Sequence, residues 1–282
     1  MGKTNRIITE KRIEKYMDAL WEQERSAATI QKYSGNLMVL VSFFHGEPVT
    51  KAALISRKQQ VERHSPATVN SMLTAANGFF RFLNWKELSV KPLRLQKALF
   101  LDESRELTRS EYVRLVRAAQ KTGNQRLELV LQTICATGIR VSELRFITVE
   151  ALSSGRAEIS NKGKHRIVFL LEKLKKMLIS YVKKQKITAG AVFVTRSGKP
   201  LNRCNIWREM KALCGIAGVE PGKVFPHNLR HLFARTFYAV DKDLSGLADI
   251  LGHSSVNTTR IYTAESGAVH ARQLERMGLL VT

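Results

Sequence analysis

The chain has 282 residues, 44% hydrophobic and 25% charged, as expected of a globular protein of about two domains. Lysine and arginine number 46 against 24 acidic residues, a formal charge of +22 spread as +8 over residues 1–100 and +14 over residues 101–282. That spread excludes a single solvated basic tail and points to a polyanion gripped by two lobes. No window approaches the roughly 20 apolar residues of a membrane span, and the polar N-terminus does not read as a signal peptide.

Residues 10–93 read as helical. Ile13, Met17, Leu20 and Trp21 keep a helical spacing, as do Ile30, Tyr33, Leu37, Leu40, Val41 and Phe44. His45-Gly46-Glu47-Pro48 breaks the pattern. A further helix opens at Ser65-Pro66, serine as cap and proline in the first turn. Val69, Leu73, Ala76, Phe79, Phe80 and Leu83 form its stripe, and Phe79, Phe80, Phe82 and Trp85 read as bundle core rather than a base-stacking platform.

Residues 94–106 lose the periodicity and read as a linker between a domain at 1–93 and another at 107–282. Thr108 with Glu111 three residues on is a capping box. Helices are expected at about 109–120 and 125–137, with another from about 141. Cys135 sits in an apolar run and reads as core packing; with Cys204 and Cys214 it makes no CxxC pair or disulfide framework, which fits a reducing compartment. Ala157 and Ile159, then Ile167, Phe169 and Leu171, alternate with polar residues across a Lys/Gly turn at 161–165, so a hairpin is expected. Residues 172–186 return to helix with a lysine-rich face, 191–194 read as a short strand, and 203–280 are mostly helical with breaks at 218–226 and 252–255. The fold class is therefore mainly α with a small β-sheet (α+β).

The chemistry concentrates near the end. His227, Arg230 and His231 fall on one helical face just after Pro226. A helix N-terminus favours an anion, and an arginine adds a planar fork suited to two phosphate oxygens. Gly252-His253 ends one helix and Ser254-Ser255 can cap the next. Tyr262 follows nine residues after His253. The spacing of His227 and His231 resembles half of a zinc site, but Asn228 stands where a metalloprotease needs glutamate, and no third ligand is evident. No metal site and no cofactor is expected.

The segments Ala136-Thr137-Gly138-Ile139-Arg140-Val141-Ser142-Glu143-Leu144, His227-Asn228-Leu229-Arg230-His231, Leu251-Gly252-His253 and Thr258-Thr259-Arg260-Ile261-Tyr262 resemble the four signature segments of the tyrosine recombinase (phage integrase) family, in the flavour of Xer-like and mobile-element enzymes. The resemblance is firm over about 107–265. Over 10–93 it is looser, and implies the family's helical core-binding domain.

The resemblance implies roles. Arg140 and Arg230 would hold the non-bridging oxygens of a scissile phosphate and stabilise the transition state. Tyr262 would be the nucleophile, His227 its proton acceptor and His253 a phosphate hydrogen-bond donor. A phenol is almost wholly un-ionised at neutral pH, so it needs a base or positive surroundings. The leaving 5′ oxygen would take a proton from a lysine of the hairpin turn, Lys162 or Lys164, with Lys162 favoured by alignment on Arg166-Ile167-Val168. Glu143 would orient an arginine or histidine, or be an ordinary surface glutamate.

Implied further are a C-shaped clamp on double-stranded DNA, a homotetramer on two sites with a dimer on each, an accessory excision or directionality factor, and a bacterial cytoplasmic, nucleoid-associated location. Arg57, Lys58 and Arg63, with Lys173, Lys175, Lys176, Lys183 and Lys184, are candidate phosphate grips, or else an ordinary solvated face. The tail 264–282 would dock on a neighbouring subunit, or fold back on its own domain. No arm-binding domain is expected ahead of residue 10. Two rival readings share the residues: a type IB topoisomerase that only relaxes DNA, and a non-catalytic DNA-binding regulator.

Overall fold

The computed structural model describes residues 6–94, 102–161, 164–262 and 275–277. The chain divides into two compact units, residues 1–97 and 98–282. Lys162 and almost all of the tail 264–282 lie outside the described residues, as does most of the stretch 94–101. No helix among the described residues is long and apolar enough to cross a membrane.

The first unit is built on α1 (Glu10–Glu22), α2 (Ala27–Phe44), α3 (Lys51–Val61) and α4 (Pro66–Phe82). Thr9, Ser26, Thr50 and Ser65 cap them, each side chain accepting from the backbone N–H three residues on. Pro66 occupies the first turn of α4, where its missing N–H costs nothing. Ile13, Tyr16 and Leu20 of α1, Leu37 and Phe44 of α2 and Ala76, Phe79 and Phe80 of α4 form the core. Phe82 departs from the expected core stripe and is 40% exposed, although Tyr16 packs its ring at 5.3 Å. Two turns apart on α4, Asn70 and Asn77 each clasp one backbone residue. Asn77 exchanges two 2.8 Å bonds with Val90, and Asn70 bonds Leu93 at 2.7 and 2.9 Å. Lys51 and Lys58 of α3 donate to the carbonyls of Ser89 and Lys91.

The second unit has α5 (Arg109–Lys121), α6 (Gln125–Thr137), a 3₁₀ segment Val141–Phe146, α7 (Val149–Ser154), β1 (Arg156–Asn161), β2 (Lys164–Phe169), α8 (Glu172–Lys184), α9 (Arg203–Ala212), α10 (Cys214–Ala217), α11 (Pro226–Asp241), α12 (Leu244–Leu251), α13 (Val256–Thr259) and a final 3₁₀ turn Arg260–Tyr262. Helix α6 is central, buried through Leu127, Leu129, Val130, Leu131 and Ile134, and packs on α5, α8, α9 and α11. The Thr108/Glu111 capping box opens α5. Cys135 packs on this core, and burial pushes its thiol up to about 12. The fold is mainly helical with one two-stranded antiparallel sheet, Ala157 opposite Val168 and Ile159 opposite Arg166.

Three local expectations are corrected. The helix from 141 is 3₁₀, cut short because Thr148 already caps α7. Residues 191–194 form no ladder; Ala191 and Val194 make isolated bridges to Thr148 and Pro200 while Val192 and Phe193 are buried. On β2 the inward face is the other one. Val168 and Leu170 are buried, and Ile167, Phe169 and Leu171 are 46%, 73% and 59% exposed. A one-residue change of phase turns every side chain over, and the tight Asn161–Lys164 pairing sets that phase.

Phe79→Ala removes a ring with no exposure from the first core. It is expected to destabilise that unit by about 3–5 kcal/mol, measured by urea unfolding.

A guanidinium and histidine cluster as candidate active site

Each signature segment ends or begins an element. Helix α6 stops at Gly138, whose left-handed φ of 63° closes the helix with an N–H bond to Ile134. A Cβ there would stand 2.5 Å from the Phe233 ring, so the close passage of α11 requires glycine. The chain turns into Arg140, which caps the 3₁₀ segment. Glu143 accepts from the Arg140 backbone N–H and from its Nη1, both at 2.9 Å. The same carboxylate accepts from Arg166 Nη2 at 2.5 Å. Glu143 is 1% exposed, and burial alone would raise its pKa. The Arg140 hydrogen bonds and the Arg166 charge outweigh that and hold the carboxyl below its ordinary value.

Arg230, on the first turns of α11, is 1% exposed. Its Nη1 donates to the Gly138 carbonyl at 2.5 Å, and its Nη2 to the Leu251 carbonyl at 2.8 Å. The second nitrogen also lies 2.9 Å from His253 Nε2. Arginine only donates, so Nε2 accepts, and His253 carries its proton on Nδ1, 2.8 Å from the Thr259 hydroxyl. The Tyr262 side chain lies close enough to the Arg230 guanidinium to bear on its charge. Burial, with the Arg140 charge behind it, pulls Arg230 down to about 10.

Tyr262 is 5% exposed and ringed by histidines. Its ring stacks on His253 at 5.6 Å and meets His231 edge-on at 4.7 Å, with His227 at 6.1 Å. His227 reaches solvent at one edge and lies against His231 at 4.6 Å. Lost hydration, then the charges of His231, Arg230 and Arg140, bring His227 down to about 4. Lost hydration and Arg230 do the same to His253, to about 4. Both imidazoles are therefore neutral at pH 7 and can accept a proton.

Arg140, His227, Arg230, His253 and Tyr262 thus come together. Arg140, 37% exposed at its side chain, lines an open groove of about 860 Å³ with Glu143, His165, Arg166, His253 and Thr258. Among the described residues no group of three or more His, Cys, Asp or Glu converges to hold a metal. Lys162 lies outside the described residues, and of Lys164 only the backbone is described. Three participants escaped the sequence reading. Arg166 joins Glu143 to the Ile250 carbonyl, at 2.5 Å, and passes so near Gly252 that a Cβ there would meet it at 2.6 Å. Thr259 fixes His253. Glu106 bonds His231 Nδ1 at 3.1 Å. Strand phase could have pointed to Arg166, two residues before the buried Val168; no local signal marks Glu106.

A profile of the phage integrase family matches residues 105–268. Tyrosine recombinase XerD of Xanthomonas campestris pv. campestris is 28% identical over 89% of this chain and 86% of its own. The XerH recombinase bound to its difH substrate shares the fold with a TM-score of 0.71 at 21% identity, over 94% of this chain and 84% of that one. A lambda integrase tetramer on a Holliday junction does so with 0.72 at 17% identity, over 92% and 78%.

His253 makes a pH prediction. Its folded pKa lies below the ordinary 6.5, so the unfolded chain takes up a proton first and stability drains away as pH falls from 6.5 to about 4. Allowing for its partial exposure, about 1–2 kcal/mol should be lost across that window. Urea midpoints against pH should show it, and His253→Asn should flatten the slope.

Proposed function

We propose, for a chain that belongs to the phage integrase family and is a Xer-like tyrosine recombinase, that Tyr262 cuts DNA by attacking a phosphodiester within the Arg140–Arg230 cradle. The observation that carries this reading is a buried Tyr262 ringed by His227, His231 and His253 beside the buried Arg230 guanidinium. A phosphate lying there would meet donors already aimed, at a point where negative charge grows in the transition state. Neutral His227 takes the phenolic proton as the oxygen bonds to phosphorus. The 5′ oxygen leaves with a proton from Lys162, or from Lys164. The products are a 3′-phosphotyrosyl link and a 5′ hydroxyl. The hydroxyl of a partner strand then attacks that link, giving its proton back to the lysine, and His227 returns the phenolic proton to Tyr262 as its oxygen leaves. One phosphodiester is broken and one made, so the balance closes without ATP, and the arginines supply the positive charge a metal would otherwise bring.

His253 accepts from Arg230 in the free protein. A bound phosphate would draw the Arg230 donors toward itself and add negative charge that favours the imidazolium. His253 Nε2 then turns from acceptor to donor. The chain acts as a site-specific DNA recombinase, the first unit serving as core-binding domain and the second as catalytic domain. By analogy with the tetramer that lambda integrase forms on a Holliday junction, the working assembly is four copies on two duplex sites. Phosphate contacts make binding strongly salt-dependent. Lys58, already tied to the Lys91 carbonyl, must exchange that bond to join them.

Incubation with a nicked suicide substrate carrying the target site should give a covalent protein–DNA band that Tyr262→Phe abolishes. No band with the correct site defeats the reading in favour of a DNA-binding regulator, and relaxation without joining favours a topoisomerase. Lys162→Ala should slow cleavage by about 10²-fold or more and recover on a substrate with a 5′-bridging sulfur, which leaves unprotonated. Recovery in Lys164→Ala instead moves the acid role there.

A further inference from the structure

Two carboxylates are buried beside the cluster, and the proposed chemistry uses neither. Glu143 serves Arg140 and Arg166. Glu106 is 7% exposed and stands in the short stretch before α5. That stretch lies along one face of α11 and is fastened to it at three residues. Asn228 Nδ2 donates to the Arg105 carbonyl at 2.7 Å, His231 Nδ1 meets Glu106 Oε1 at 3.1 Å, and Arg235 Nη2 donates to the Leu107 carbonyl at 2.7 Å and pairs with Glu106 Oε2 at 3.4 Å. Residues 228, 231 and 235 share a helical face. The Asn228 and Arg235 bonds reach the backbone and would suffice for anchoring. The middle fastening instead places a charged carboxylate in the interior, which is costly unless it is paired and hydrogen-bonded.

The pairing is specific. Burial raises the Glu106 pKa, but the His231 hydrogen bond and the Arg235 charge outweigh it, and the group is an acceptor at neutral pH. An acceptor at Oε1 requires the proton on His231 Nδ1, so the carboxylate selects one tautomer and one ring orientation. The ring so held is the one that touches both His227, at 4.6 Å, and Tyr262, at 4.7 Å.

We infer that Glu106 and His231 form a positioning pair for the nucleophile. The carboxylate holds the His231 ring, and that ring holds Tyr262 and His227 in their attacking geometry. Neither residue of the pair touches the reacting phosphate. The inference rests on Tyr262 being the nucleophile. It gives the stretch ahead of α5 a direct hand on the active site through α11. A displacement of the nucleophile of about 1 Å costs on the order of 10²-fold in rate.

The test is single-turnover formation of the covalent complex by the full chain on the nicked suicide substrate, at saturating protein. Glu106→Ala and His231→Ala should each slow it by about 10- to 100-fold, the double variant no further than the slower single. Affinity for the same DNA should stay within about twofold of wild type, which a general loss of structure would not allow. Glu106→Gln can still accept from Nδ1–H and should stay within about threefold of wild type. His231→Asn keeps a donor for Glu106 and removes the ring, so it folds even where Glu106→Ala does not, and should be as slow as His231→Ala. Wild-type rates in Glu106→Ala or His231→Asn overturn the pair while leaving the site reading intact. So does a Glu106→Gln as slow as Glu106→Ala, which would assign the effect to charge. A wild-type chain that forms no covalent complex overturns both.

Discussion

Everything at this site hangs on one buried guanidinium. Arg230 reaches across from α11 to the carbonyl that ends α6 and to the carbonyl that ends α12. Those are the last polar groups of two helices, left without partners by the helices themselves. Arg230 satisfies both and so fixes three segments, far apart in sequence, around one point. Burying an unpaired cation is prohibitive in general. Here two carbonyls and one imidazole share the load. Lysine could not span the two helix ends with one planar group.

Electrostatics follows from that choice. Arg140, Arg166 and Arg230 crowd one face, and lost hydration together with these charges keeps His227 and His253 neutral. Glu143 separates two of the arginines and keeps them aligned. The cluster is thus a positive surface with uncharged proton acceptors inside it. Cations that cannot lose their charge do the holding, and groups that gain or lose a proton easily sit closest to the phenol.

How much of this was readable depends on what kind of neighbour each residue has. Helix caps at Ser65 and Thr108 are local signals and emerge where spacing puts them. Arg140, Arg230 and Tyr262 lie in motifs whose order in the chain carries the information, though only the fold brings them within reach of one another. The inner face of β2 is not legible in the sequence because apolar side chains stand on both faces; the pairing register decides which face is buried. Glu106 was invisible for a different reason. In sequence it is one acid in a charge-rich stretch, and its meaning comes wholly from α11, more than a hundred residues away. Arg166 lies between these cases, on a strand of legible phase but with partners at 143 and 250 that nothing local announces.

The burial of Tyr262 has a bearing on fidelity. With the proposed chemistry, a strand end is stored for a time as an ester of this phenol, and water is the competitor that would turn a rearrangement into a break. A ring 5% exposed, walled by His227, His231 and His253, leaves little room for a water molecule to approach in line.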